Sequence, residues 1–243
     1  MGADRTPPLL RLEDVHAGYS EVDVLRGIDL TVDAGTVTAI IGANGAGKST
    51  LLKAVFGLVR SRRGRIGFAG EDITSLGSRQ RLERGIVIVP QGRCNFPLLT
   101  VQENLRMAAY TRSDDQVGRD IERACERFPV LIGKERTLAG NLSGGEQQLL
   151  EMAMSLMLTP RLVLIDEPSL GLAPVMQRRV FDAIVGLRES GAGVLLVEQN
   201  AVQALRIADR GVVIEMGRVS HDGSGVEMLE DPDVRRAYLG LAV

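Results

Sequence analysis

At 243 residues, with 44% hydrophobic and 25% charged side chains, the chain can build a folded core, which excludes a disordered segment. A formal net charge of −2 argues against nucleic acid as a partner. No apolar run approaches the length of a membrane span, and the prolines and charges of Met1–Arg11 leave no secretory core, so the chain is expected to remain in the cytoplasm.

Taken in chain order, the opening reads as antiparallel β: Leu10 and Leu12 alternate with polar residues, and Val22–Val32 repeats the pattern around Gly27. A buried strand follows at Val37–Ile41, then a glycine-rich loop and a helix from Lys48 to about Leu58. Arg65–Ala69 and Gly85–Val89 read as further strands. Between Thr100 and Pro160 strand signals stop, and Val101–Tyr110, Asp115–Phe128 and Gly145–Leu158 read as helices. The last has Leu150, Ala153, Met154 and Met157 on one face, a packing stripe. Strands then alternate with helices: Leu162–Ile165, Pro174–Glu189, Val194–Val197, Asn200–Ala208 and Val212–Glu215, with a short helix expected in Asp231–Val243. The pattern predicts an α/β core of largely parallel sheet, residues 1–91 and 161–243, interrupted by a helical subdomain at 92–160. Cys94 and Cys125, in no metal-binding or redox spacing, read as reduced thiols.

Gly42-Ala43-Asn44-Gly45-Ala46-Gly47-Lys48-Ser49 fits G-x-x-x-x-G-K-[ST] between a strand and a helix. Glycines allow main-chain N–H groups to turn inward around phosphate oxygens, and the following helix points its positive end at the same anion. Lys48 adds a full charge near the β- and γ-phosphates, and the Ser49 hydroxyl suits Mg²⁺. Gly42, Asn44, Gly45, Ala46, Gly47, Lys48, Ser49 and Thr50 are therefore the expected nucleotide-binding loop, with ATP and Mg²⁺ as cofactors. A second acidic element ends the strand Leu162–Ile165: Asp166 suits Mg²⁺, and Glu167 suits the activation of a water beside the γ-phosphate. Strand alternation is expected to point these two carboxylates in different directions.

Leu142-Ser143-Gly144-Gly145-Glu146 places a helix-capping serine before two glycines, and this run resembles the signature of ABC ATPases. The resemblance extends over nearly the whole chain and implies a P-loop NTPase fold of the ABC ATPase type: a mixed sheet core with an N-terminal antiparallel β portion and an inserted helical subdomain. It implies adenine stacking by Tyr19, a metal-reaching Q-loop glutamine at Gln91, and contact of Ser143, Gly144, Gly145 and Glu146 with nucleotide held by a second subunit. Asp166, Ser49 and Gln91 become the metal set, and Glu167, Lys48 and Gln199 the catalytic set. Two departures stand out: Gln199 replaces the family's usual histidine and cannot carry a proton, and Leu170-Gly171-Leu172-Ala173 lacks the usual aspartate.

The segments Glu167–Pro174, Val197-Glu198-Gln199-Asn200 and Ala237-Tyr238-Leu239-Gly240 are similar to the smaller ATPase subunit of branched-chain amino acid importers, with urea and short-chain amide importers as the alternative. That resemblance implies two membrane permease subunits, a second ATPase subunit in a heterodimer (a homodimer being possible in isolation), an extracytoplasmic solute-binding protein acting indirectly, and a place on the inner face of the membrane. A soluble ABC ATPase acting on ribosomes or DNA is disfavoured because such chains usually carry two units or a long insert. A P-loop kinase would need an acceptor pocket in place of the signature.

Overall fold

The computed structural model describes residues 7–110 and 116–240. The first strands, β1 (Leu10–Tyr19) and β2 (Val22–Val32), pair antiparallel, then β3 (Val37–Ile41) leads into α1 (Lys48–Phe56). Next come β4 (Ser61–Phe68), the two-residue β5 (Glu71–Asp72), α2 (Ser78–Glu83) and β6 (Ile86–Val89). Three helices follow, α3 (Val101–Ala108), α4 (Val117–Arg127) and α5 (Gly144–Leu156). Then β7 (Leu162–Asp166), α6 (Pro174–Glu189), β8 (Gly193–Val197), α7 (Ala201–Ile207), β9 (Arg210–Glu215), β10 (Arg218–Ser224) and α8 (Gly225–Glu230) complete the main elements.

One sheet has the order β2-β1-β4-β5 and is antiparallel. The other has the order β10-β9-β3-β8-β7-β6, in which the last five strands run parallel and β10 turns back on β9. Alternation along each central strand divides two cores. Ile40, Leu164 and Leu195 face the antiparallel sheet and α1, whereas Ala39, Ile41, Val163 and Leu196 face α3, α5, α6 and α7. With both faces covered, β3, β7 and β8 are buried along their full lengths, which is why they read as continuous apolar runs.

The expected elements are present, with informative differences at their ends. Helix α1 stops at Phe56, because Gly57 adopts φ 84° and returns its N–H to the last carbonyls. Strand β4 begins four residues before the expected Arg65: pairing with β1, together with Arg62 bound to Asp23, carries the charged run Ser61–Gly64 into the sheet. Asp115, the expected start of the fourth helix, lies outside the described residues, as do residues 241–243 of the expected terminal helix. Strand β10 has no signal in the sequence: it is an edge strand, partly or fully exposed at every position, so no apolar alternation marks it. The chain reaches it through Met216 and Gly217, both at positive φ, a two-residue hairpin turn.

No helix among the described residues is long and apolar enough to cross a membrane.

Candidate nucleotide site

The carboxyl ends of β3, β6, β7 and β8 lie side by side, and the loops leaving them surround a cavity of about 370 Å³. Its lining combines Asn44, Gly45, Gly47, Lys48, Ser49 and Thr50 of the glycine loop with Gln91, Glu167 and Gln199. Four segments far apart in sequence thus meet at one point.

Two glycines shape the loop. Gly42 has φ 148°, and a Cβ there would lie 2.2 Å from the Ile214 carbonyl oxygen. Gly47 is the N-cap of α1 at φ 111°, with no side chain to occupy the helix's first N–H groups, so they stay open to an anion. Lys48 is 5% exposed and folds back over its own loop, its Nζ donating to the carbonyls of Gly42 at 2.8 Å and Ala43 at 3.1 Å. Gly42 and Ala46 do not line the cavity but hold the loop's shape. Gly42 accepts from Lys48, and Ala46 is pinned by a bond from the N–H of Gly217 at 2.9 Å.

Ser49 Oγ donates to Asp166 Oδ1 at 3.0 Å, placing Asp166 directly behind the loop hydroxyl. Burial pushes the Asp166 carboxyl above the ordinary range, opposed by the Ser49 hydrogen bond and by Lys53 and Lys48. Glu167 is also raised, chiefly by burial; Lys48 opposes this, and Asp166 and Glu198 add to it. Gln91 Nε2 donates to Glu167 Oε2 at 3.0 Å, so the Q-loop position and the acid touch directly.

Strand alternation does not account for the separation of the two acids, contrary to the sequence expectation. Asp166 is the last residue of β7, and Glu167 has already left the strand at φ 47°, with its N–H donating to Val197 O at 2.8 Å. A non-glycine residue held in that region costs about 1–3 kcal/mol, so the turn, braced by β8, sets the Glu167 direction.

Tyr19 ends β1 half exposed and is not among the residues lining the cavity. Ser143, Gly144, Gly145 and Glu146 also lie outside the lining, at the start of α5. Ser143 is the N-cap there, as its sequence position predicts: its Oγ accepts from Glu146 N, and Glu146 Oε2 accepts from Ser143 N. Lys134 pairs with the other Glu146 oxygen and holds that carboxyl below its ordinary range. Sequence reasoning missed Val24 and Leu170, which line the cavity, and Lys134; the first two look like ordinary apolar positions, and Lys134 is distant in sequence from the acid it meets. A larger cavity of about 630 Å³, bounded by Phe128, Leu149, Arg179 and Leu187, has no anion-binding loop, so size does not mark the site.

The chain is similar to known proteins over most of its length. The family described as "ABC transporter" matches residues 25–170. The high-affinity branched-chain amino acid transport ATP-binding protein BraG of Pseudomonas aeruginosa is 42% identical, over 96% of this chain and 100% of that protein. The probable branched-chain amino acid transport ATP-binding protein LivF of Archaeoglobus fulgidus is 39% identical, over 96% of this chain and 99% of its own. Among solved structures, the ADP conformation of MJ1267, an ATP-binding cassette of an ABC transporter, superposes with a TM-score of 0.87 at 28% identity, covering 97% of this chain and 100% of that one. An open helix N-terminus, an ammonium, two acids at the sheet edge and these likenesses lead to one conclusion: the chain belongs to the ABC transporter family, as one of its ATP-binding and ATP-hydrolysing subunits.

Proposed function

We propose that the chain powers a membrane importer for branched-chain amino acids, working as a nucleotide-bridged pair with a second ATPase subunit beneath two permease subunits, on the inner face of the membrane. A solute-binding protein outside would act on it only through those permeases. The cargo assignment is supported by the names of the relatives BraG and LivF together with the Gln199 and Leu170–Ala173 departures.

In this reading the loop N–H groups and Lys48 grip the triphosphate, Glu167 activates the attacking water and Gln199 donates a hydrogen bond to the γ-phosphate. Tyr19 stacks on adenine. Mg²⁺ fits the donors present. Ser49 and Asp166 already share a hydrogen bond, Gln91 has its amide nitrogen on Glu167 and its oxygen to spare, and all three offer the oxygen ligands a hard cation takes. Bound there, the ion would offset charge building on the phosphate oxygens. The core, 1–91 and 161–243, holds this machinery, and the helical unit, 92–160, presents the signature to the partner's nucleotide.

The observation that carries the reading is the separation, within one chain, of the signature residues from the cavity holding the phosphate loop. A second subunit completes each site. Glu167→Gln should bind Mg²⁺-ATP, accumulate as a dimer in light scattering, and lose at least about a hundredfold in turnover. A variant that stays monomeric with ATP, alone and with its sibling subunit, would count against the paired mechanism. Uptake of labelled leucine by vesicles carrying the complete transporter tests the cargo, with urea and short-chain amide uptake as the competing outcome.

A further inference from the structure

Glu198 precedes Gln199 and is 2% exposed, a buried acid with no ion pair among the described residues. Its two oxygens serve different loops. Oε1 accepts from the N–H of Ser169 at 2.9 Å, and Oε2 accepts from the N–H of Asn200 at 3.1 Å. Ser169 is itself buried and lies two residues past Glu167, in the turn that leaves β7. Asn200 lies one residue past Gln199 and caps α7. One carboxyl group therefore joins the turn carrying Glu167 to the turn carrying Gln199.

The joint is reinforced where the backbone is strained. Glu167 sits at φ 47° with its own N–H on Val197 O, so the ends of β7 and β8 are tied once through main chain and once through Glu198. Without the carboxyl, two N–H groups, one of them buried, would lose their acceptors. No apolar residue of similar size supplies them.

We propose that Glu198 is a positioning residue that fixes the spacing between Glu167 and Gln199 across the phosphate end of the cavity. The inference rests on the reading of Glu167 as the water-activating acid. It predicts that Glu198 acts on turnover and leaves nucleotide capture alone, because it is not among the residues lining the cavity.

The test uses the full chain assembled with its sibling subunit. Glu198→Gln keeps the size but sets an amide NH₂ against one of the two N–H donors. Its kcat should fall roughly ten- to hundredfold, with KM for ATP held within about threefold. Glu198→Asp keeps both acceptor oxygens on a shorter stem and should lie between the parent and the glutamine variant. In a Glu167→Gln background, Glu198→Gln should add almost nothing, since the group it places is already disabled. ATP affinity close to the parent's shows that each variant has folded.

A parent-like kcat for Glu198→Gln, a loss confined to KM, or an aspartate variant no better than the glutamine one would each overturn the proposal while the Glu167 reading stands. Parent-like turnover in Glu167→Gln alone would overturn that reading and the inference built on it.

Discussion

Helices α1 and α5 both begin next to glycines, and they treat their N-termini in opposite ways. At α1 the N-cap is Gly47, which has no side chain to offer, so the first N–H groups face the cavity uncapped. At α5 the N-cap is Ser143, and a reciprocal pair of bonds with Glu146 satisfies donors there, with Lys134 fastened to the same acid. Both ends carry the same partial positive charge. The first leaves it for a ligand, while the second has already balanced it with the chain's own carboxylate. An isolated subunit should therefore bind ATP at α1 and show no measurable affinity at α5; in the proposed paired mechanism α5 meets phosphate only when another subunit brings the nucleotide to it.

The sharpest way to break this contrast is to remove the charge that works with α1. Lys48 spends its hydrogen bonds on Gly42 and Ala43 while it waits, so replacing it both loosens the loop and deletes the full charge next to the open helix end. Lys48→Ala should abolish ATP binding within the measurable range, a loss of at least about a hundredfold in Kd by calorimetry. Affinity near that of the parent would mean that the N–H cradle alone suffices and that the lysine has another task.

How much of this was legible in the sequence follows from what each signal depends on. The phosphate loop is local: glycines at fixed spacing after an apolar strand carry their own geometry, and Gly42 through Ser49 could be placed without knowledge of the fold. Ser143 was legible as a cap for the same reason. Asp166 and Glu167 were legible as a pair, but what sets the Glu167 direction was not, because it comes from the φ of Glu167 and the carbonyl of Val197 on a neighbouring strand. The links of Lys134 to Glu146 and of Glu198 to Ser169 are tertiary, and no periodicity announces such contacts. Strand β10 was hidden for a simpler reason: an edge strand facing solvent has no buried face to leave an apolar trace.

A smaller effect should come from the α5 side of the contrast. Ser143→Ala removes the acceptor for Glu146 N and should cost roughly 1 kcal/mol of stability, read by chemical denaturation. ATP affinity of the isolated subunit should not change, whereas turnover of the assembled pair should fall several-fold. If the single-chain affinity fell as well, the two helix ends would not be independent, and the contrast would fail at its base.

The smallest expected effect sharpens what lies behind α5. Glu151, on its buried face, accepts from the N–H groups of Cys94 at 2.7 Å and Asn95 at 3.2 Å through Oε1, which ties the loop after Gln91 to the helix. The side chain of Asn95 adds a third bond to the same oxygen at 2.9 Å, while Oε2 is buried without a hydrogen-bond partner. Burial pushes this carboxyl above its ordinary range against the pull of those bonds. A carboxyl raised in the folded state favours folding while it is protonated, below its unfolded pKa, and this contribution is lost as pH rises through the folded pKa. At neutral pH the ionised group is therefore a net burden, and Glu151→Gln, which keeps one acceptor oxygen and carries no charge, should raise the melting temperature by about 1–3 °C. The gain should shrink as pH falls into the range where the parent's carboxyl takes up its proton. A variant less stable than the parent at neutral pH would show that the charge strengthens the three bonds at Oε1 by more than its burial costs.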